Sequence, residues 1–179
     1  MMDRRHALTM MLGFAVTPGL ARAASEPLKI AFVDTGNTGR SLMAEMLSRD
    51  MIRRRNLNLA VISRGLDVDP FDEAPEANAA ILMSERGIDV AAHRARALAA
   101  ADVAHADLLL TMTAKHLQNV VAAHPQAAAK TFTLAQYASN AAADIPDAWG
   151  KPMADYRAVL KQLDLYLPLA LARATAGAR

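Results

Sequence analysis

The stretch "LKIAFVDTGNTGRSLMAEMLSRDMIRR", Leu28 to Arg54, constrains the fold more than any other part of the chain. Leu28 to Val33 is a short apolar run of the kind that is buried on both faces of a sheet. From Arg40 onward, Leu42, Met43, Met46, Leu47 and Met51 recur at helical spacing, with charges on the other side. Between them lie only Asp34 to Gly39, so a strand must turn within six residues into an amphipathic helix. A strand that feeds a helix across a glycine-containing turn is the opening of a βαβ unit and of a parallel sheet.

The rest of the chain repeats that alternation, with no internal repeat and no long linker. "LAVIS" (Leu59 to Ser63), "DLLLTM" (Asp107 to Met112) and "KTFTL" (Lys130 to Leu134) read as three further strands. "EANAAILMSERG" reads as a helix that Gly87 terminates, and "AKHLQNVVAAH" as another amphipathic helix. A last long helix begins near Pro152, a suitable first-turn proline, and is expected to bend or end around Pro168. At 179 residues, 53% of them apolar and 21% charged, the chain suits one α/β domain, with helices on both faces of the sheet.

Residues 1–23 read as an export signal peptide, and 24–179 as the domain. "MMDRRHALTMMLGFAVTPGLARA" has a basic start, an apolar run and a small-x-small cleavage site at Ala21-Arg22-Ala23. The run is interrupted by Pro18 and Gly19 and is short for a membrane span, so no stable span is expected once it is removed. Adjacent Arg4 and Arg5 add twin-arginine export as an option. Ordinary secretion and an uncleaved anchor are the alternatives, and the expected location is periplasmic or otherwise exported. Loss of this segment removes three arginines and Asp3 and takes the formal charge from +2 to zero. No basic patch remains to argue for nucleic acid. The chain has no cysteine, which excludes disulfides, thiolate metal sites and thiol nucleophiles.

In a parallel α/β sheet, ligands bind beyond the carboxyl ends of strands, where a glycine-rich turn enters a helix. "DTGNTGRS", Asp34 to Ser41, holds that position. Gly36 and Gly39 permit a tight curl with amides pointing inward. Asn37 tolerates a left-handed backbone, and Arg40 offers a planar fork to two phosphate oxygens. Ser41 has a hydroxyl for the cup or the helix cap. Asp34-Thr35-Gly36 also matches the catalytic turn of an aspartic protease, but that turn joins β-strands and this one feeds a helix. Taken alone, the stretch equally reads as a turn that binds nothing.

With Asp34 at the nucleophilic cysteine, the loop resembles that of the low-molecular-weight protein tyrosine phosphatases, whose signature is Cys, five residues, Arg, Ser after the first strand. Gly39 then stands where many members carry a second cysteine. "GIDVAAHRARAL" (Gly87 to Leu98) is similar to the segment after that family's second helix. "ADLLLTMTAKHLQNV" resembles its third strand and following helix, and "DIPDAWG" (Asp144 to Gly150) the loop bearing its general acid. The resemblance implies a three-layer α/β/α fold with a four-stranded parallel sheet in the order 2-1-3-4. It implies a loop, Asp34, Thr35, Gly36, Asn37, Thr38, Gly39, Arg40 and Ser41, that wraps a phosphate. Arg40 would clamp it, Asn37 and Ser41 would organise the loop, Asp147 would be the acid, and Trp149 would flank the substrate ring. Ala148 replaces the proline usual after that acid. His93 and His116 are read as organisers of structure rather than metal ligands, and no metal or cofactor is expected.

Aspartate at position 34 changes what such a loop can do. Its two oxygens can accept the hydrogen bonds that a phosphate would receive. It also repels that phosphate by about 4 kcal/mol per pair of unit charges at ~4 Å and an effective dielectric of ~20. The leading expectation is therefore a phosphatase-like protein without catalysis, acting through a protein partner. The alternatives are a periplasmic binder of a small oxyanion and a phosphomonoester hydrolase that uses Asp34 itself. Aspartate-based phosphatases generally add magnesium and further acids, yet Gly36 stands where one such class places its second aspartate.

Overall fold

The computed structural model describes residues 26–177; the predicted signal peptide lies outside them. Four strands form one parallel sheet in the order β2-β1-β3-β4, as the resemblance implies. They are β1 (Leu28–Asp34), β2 (Leu59–Gly65), β3 (Leu108–Thr111) and β4 (Thr131–Thr133). The helices are α1 (Arg40–Arg55), α2 (Ala77–Glu85), α3 (Ala100–His105), α4 (Ala114–Ala123), α5 (Leu134–Ser139) and α6 (Met153–Gly177). Both neighbours of β1 pair with it in parallel, from Leu28↔Leu59 to Asp34↔Gly65 on one side and from Ile30↔Leu108 to Val33↔Thr111 on the other.

The central strand is buried on both faces because alternate residues serve two cores. Ile30 and Phe32 join the larger core with Leu42, Met43, Leu82, Leu110, Leu163 and Leu167. Ala31 and Val33 face the smaller core with Val103, Leu109, Val120 and Ala127. A strand with apolar residues at every position needs a helical cover on each side, and α1, α2 and α6 on one face and α3 and α4 on the other supply it.

Most predicted boundaries fall within two residues of those observed. Gly87 ends α2 as expected: at φ +70 its N–H meets the Ser84 carbonyl, and that of Ile88 meets Met83. α3, α5 and a 3-10 turn over Pro125–Lys130 are additions to the sequence reading. α3 and α5 are six residues each, too short to show a helical period. The expected end near Pro168 does not occur, since α6 continues to Gly177 with Pro168 inside it. Leu167, Ala170, Leu171 and Ala174 are buried on both sides of that proline, and their packing outweighs the one backbone hydrogen bond it removes.

Candidate functional site

β1 delivers Asp34 to the carboxyl edge of the sheet, and the loop turns back over it. Asp34 is 3% exposed. Its Oδ1 accepts the Asn37 N–H at 2.8 Å and its Oδ2 the Ser41 N–H at 2.9 Å. The carboxylate thus closes the loop from inside, with both oxygens engaged by backbone donors at the entry to α1. Such charge-assisted bonds are stronger than those between neutral groups.

Asn37 is the loop's hinge. It has φ +60, the only residue between Asp34 and Ser41 in the left-handed region. Its Nδ2 donates to the hydroxyls of Ser41 (3.0 Å) and Ser63 (2.8 Å), and its Oδ1 accepts the Arg96 N–H. The Ser63 hydroxyl in turn donates to the buried Glu45. His93 Nε2 meets the Asn37 carbonyl at 2.7 Å, and His116 Nε2 meets the Thr35 hydroxyl at 3.0 Å. Both histidines therefore organise the loop, as expected. Burial, then the nearby Arg40 guanidinium, holds the His116 pKa below its ordinary value against the opposing pull of Asp34 and Asp147.

Two sequence expectations need correction. Neither loop glycine has a positive φ; the curl comes from Asn37. At Gly39 a Cβ would lie 2.6 Å from Glu76 Oε1, so a larger residue there would have to displace a carboxylate that Thr38 and Tyr156 hold. Ser41 makes no side-chain cap, because its hydroxyl is turned inward to accept from Asn37. Sequence reasoning also missed Glu76, which accepts from the hydroxyls of Thr38 (2.9 Å) and Tyr156. It missed Gly65, where a Cβ would stand 2.6 Å from the Thr35 carbonyl oxygen. A glycine closing a strand next to the binding edge was the only available signal for the latter.

Arg40 is 6% exposed and faces Asp147 rather than Asp34. Its guanidinium donates to the Ile145 carbonyl at 3.1 Å and lies 3.3 Å from Asp147 Oδ1. Among the described residues it forms no ion pair with Asp34. Asp147 also accepts the Trp149 N–H at 3.2 Å, and the Trp149 ring stands 67% exposed. The segment that carries them is tied to the sheet through Ile145 N–H and the Met112 carbonyl. The loop, Arg40, Asp147 and Trp149 therefore meet around one cleft of about 260 Å³.

The charge of that cleft is opposite to what a phosphate cup calls for. Asp34, Asp67, Asp69, Asp72, Glu76 and Asp147 line it, with Arg40 as its only basic residue. Among the described residues, no group of three acids or histidines could hold a metal ion.

Residues 29–173 match the family profile of low molecular weight phosphotyrosine protein phosphatases. A protein-arginine-phosphatase of Geobacillus stearothermophilus is 37% identical over 138 residues, which cover 77% of this chain and 90% of that protein. A probable low molecular weight protein-tyrosine-phosphatase, EpsP of Ralstonia solanacearum, is 31% identical over 135 residues, 75% of this chain and 87% of its own. Among solved structures, a cysteine-to-serine mutant of the YwlE arginine phosphatase with a phosphorylated active-site serine superposes with a TM-score of 0.78. It is 30% identical and covers 82% of this chain and 95% of its own.

Proposed function

This chain belongs to the low molecular weight phosphotyrosine protein phosphatase family, and from that premise we propose that it is an exported, non-catalytic member whose phosphate loop is filled by its own Asp34. The observation that carries this reading is the pair of bonds from the Asn37 and Ser41 amides to the two oxygens of Asp34. Donors directed at an internal carboxylate are not available to a phosphoryl group, and the residue at the nucleophile's position is not a thiolate. The absence of cysteine removes any substitute from elsewhere in the chain.

The other roles follow in the same reading. Arg40 is the inherited clamp and Asp147 the inherited acid; each now neutralises the other across 3.3 Å. Trp149 flanks the cleft where a substrate ring would stack. Export rests on the leader at 1–23, and an oxidising compartment would act against a reactive thiol in this loop. A protein without turnover acts by binding, with a protein partner favoured over a small oxyanion because the cleft is acidic.

One observation supports a second reading, in which Asp34 is itself the nucleophile of a phosphomonoester hydrolase. The YwlE mutant carries phosphate on an active-site serine, so an oxygen side chain in the active site of that relative takes up a phosphoryl group. The deciding experiment assays aryl phosphate, phosphotyrosine and phosphoarginine substrates with the parent and with Asp34→Asn and Arg40→Ala variants. We expect the parent to be no faster than Arg40→Ala. Turnover present in the parent and lost in both variants would establish the aspartyl route instead, and its dependence on magnesium would reveal the added metal. Asp34→Cys should gain aryl-phosphate hydrolysis above the parent, because Arg40, Asp147 and the loop remain in place.

A further inference from the structure

We propose that a second, basic groove, along the edge strand β2, docks an extended acidic segment of a partner protein. The groove is about 360 Å³ and shares no lining residue with the acidic cleft. The inference goes beyond the reading above and does not depend on whether the loop catalyses.

Its first support is charge. Arg49 of α1, Arg64 of β2, and Arg94 and Arg96 of the segment before α3 line the groove, against Glu45 and Asp89. Both acids are already engaged. Glu45 is 5% exposed, accepts the Ser63 hydroxyl and lies 2.6 Å from Arg49, while Asp89 Oδ1 accepts the Ala91 N–H at 2.9 Å. Arg94 and Arg96 are exposed, and neither forms an ion pair among the described residues. Guanidiniums gathered in this way repel one another, and an anionic ligand relieves that repulsion.

The second support is spacing. Arg49 donates to the Val61 carbonyl at 3.4 Å, and Arg64 donates to the Ser63 carbonyl at 2.7 Å and to Asp102 at 2.8 Å. Gly65 turns its N–H and carbonyl away from β1, to Arg96 and Leu98. By the alternation of a strand, the Val61 and Ser63 carbonyls lie on that same outer edge, about 6.7 Å apart. Two guanidiniums are therefore anchored at the repeat that separates alternate side chains of an extended peptide. Arg94 and Arg96 add a second such pair, exposed on either side of the buried Ala95. Forked donors at this interval match carboxylates on alternate residues of one extended segment.

The lining also selects the class of partner. No Phe, Tyr or Trp lines the groove, so the bases of a nucleic acid have nothing to stack on. A lone phosphate reaches only part of a donor set contributed by α1, β2 and the 94–96 segment.

The probe is a blocked, dye-labelled peptide with glutamate at three alternate residues, titrated against the full protein by fluorescence anisotropy. It is compared with its glutamine analogue, with a peptide of the same composition whose glutamates are consecutive, with inorganic phosphate as competitor, and with a short single-stranded oligonucleotide. We expect saturable binding that added salt weakens, at least about tenfold weaker binding of the glutamine analogue, and weaker binding of the consecutive peptide. Amide shifts of the parent protein on binding should cluster at 61–65 and 91–97. The double variant Arg94→Gln, Arg96→Gln should lose affinity at least about tenfold, with its circular dichroism and melting temperature confirming the fold. Equal binding of the glutamate and glutamine peptides, equal binding of the alternate and consecutive peptides, or no binding would each overturn the proposal. So would shifts confined to the acidic cleft, undiminished binding by the folded variant, displacement by equimolar phosphate, or tighter binding of the oligonucleotide. None of these measurements involves hydrolysis. Phosphatase turnover would therefore remove the non-catalytic reading alone, and failed docking would remove this proposal alone.

Discussion

At position 34, a carboxylate differs from a thiolate by offering two oxygens to the same backbone donors. The loop still has its shape because Asp34 occupies it with bonds of 2.8 and 2.9 Å to Asn37 and Ser41. Asp34→Ala should remove these bonds and the like charge together. We expect phosphate, sulfate or vanadate to bind the variant more tightly than the parent by calorimetry. In anion-free buffer the variant should lose roughly 1–3 kcal/mol of stability, measured by chemical melts. Parent binding as strong as the variant's, with no loss of stability, would mean that Asp34 does not fill the loop. His116 gives a second test at this scale. Burial first, then Arg40, lowers its pKa, so the unfolded chain binds a proton more readily than the folded one. Its contribution therefore falls as pH drops below the ordinary histidine value of 6.5, and levels off below the lowered folded value. The parent's melting temperature should decline across that window more steeply than that of His116→Gln, and identical pH profiles would contradict the assignment.

Between elements, the start of α1 is joined to α2 and α6 through one side chain. Glu76, just before α2, presses on Gly39, accepts from Thr38 and receives the Tyr156 hydroxyl from α6. Burial, reinforced by the adjacent carboxylate of Glu76, raises the Tyr156 pKa, so the phenol remains a donor. Gly39→Ala should cost about 1–3 kcal/mol through overpacking against that carboxylate. A double-mutant cycle with Glu76→Ala should be non-additive, because the clash disappears with the carboxylate. Additivity would mean that the two positions do not meet. α6 offers the opposite change. Pro168 lies inside a 25-residue helix, and replacing it with alanine should raise stability by about 1–3 kcal/mol, as seen in denaturant titrations.

For the whole molecule, one sheet with a helical layer on each face makes folding a single event. Leu163 of α6 is fully buried in the larger core, beside residues of β1 and α1. Leu163→Ala should lower stability by about 2–5 kcal/mol while near-UV and far-UV signals still lose structure together. Two separate transitions would show that α6 folds as its own unit.

The sequence by itself determined the sheet and the position of the site. Buried parallel strands appear as apolar runs, helices as 3.6-residue periods, and Asp34 to Ser41 join one of each at the edge where such folds bind ligands. It also revealed that no thiolate could act there. Only the tertiary structure decided how the site's charges are arranged. Arg40 and Asp147 are far apart in sequence, and long-range bonds such as those of Ile145 to Met112 and to Arg40 bring their segments together. Asp67, Asp69 and Asp72 have no periodicity to mark them, since a loop residue's neighbours are set by how the chain returns over the sheet. Gly39 looked like a turn residue and Gly65 went unmarked, yet what sets both apart is close approach, of Glu76 to the first and of the Thr35 carbonyl to the second. Local pattern encodes which face of an element is buried; long-range packing sets which charges then face one another, and in this cleft that reverses the sign expected of a phosphate site.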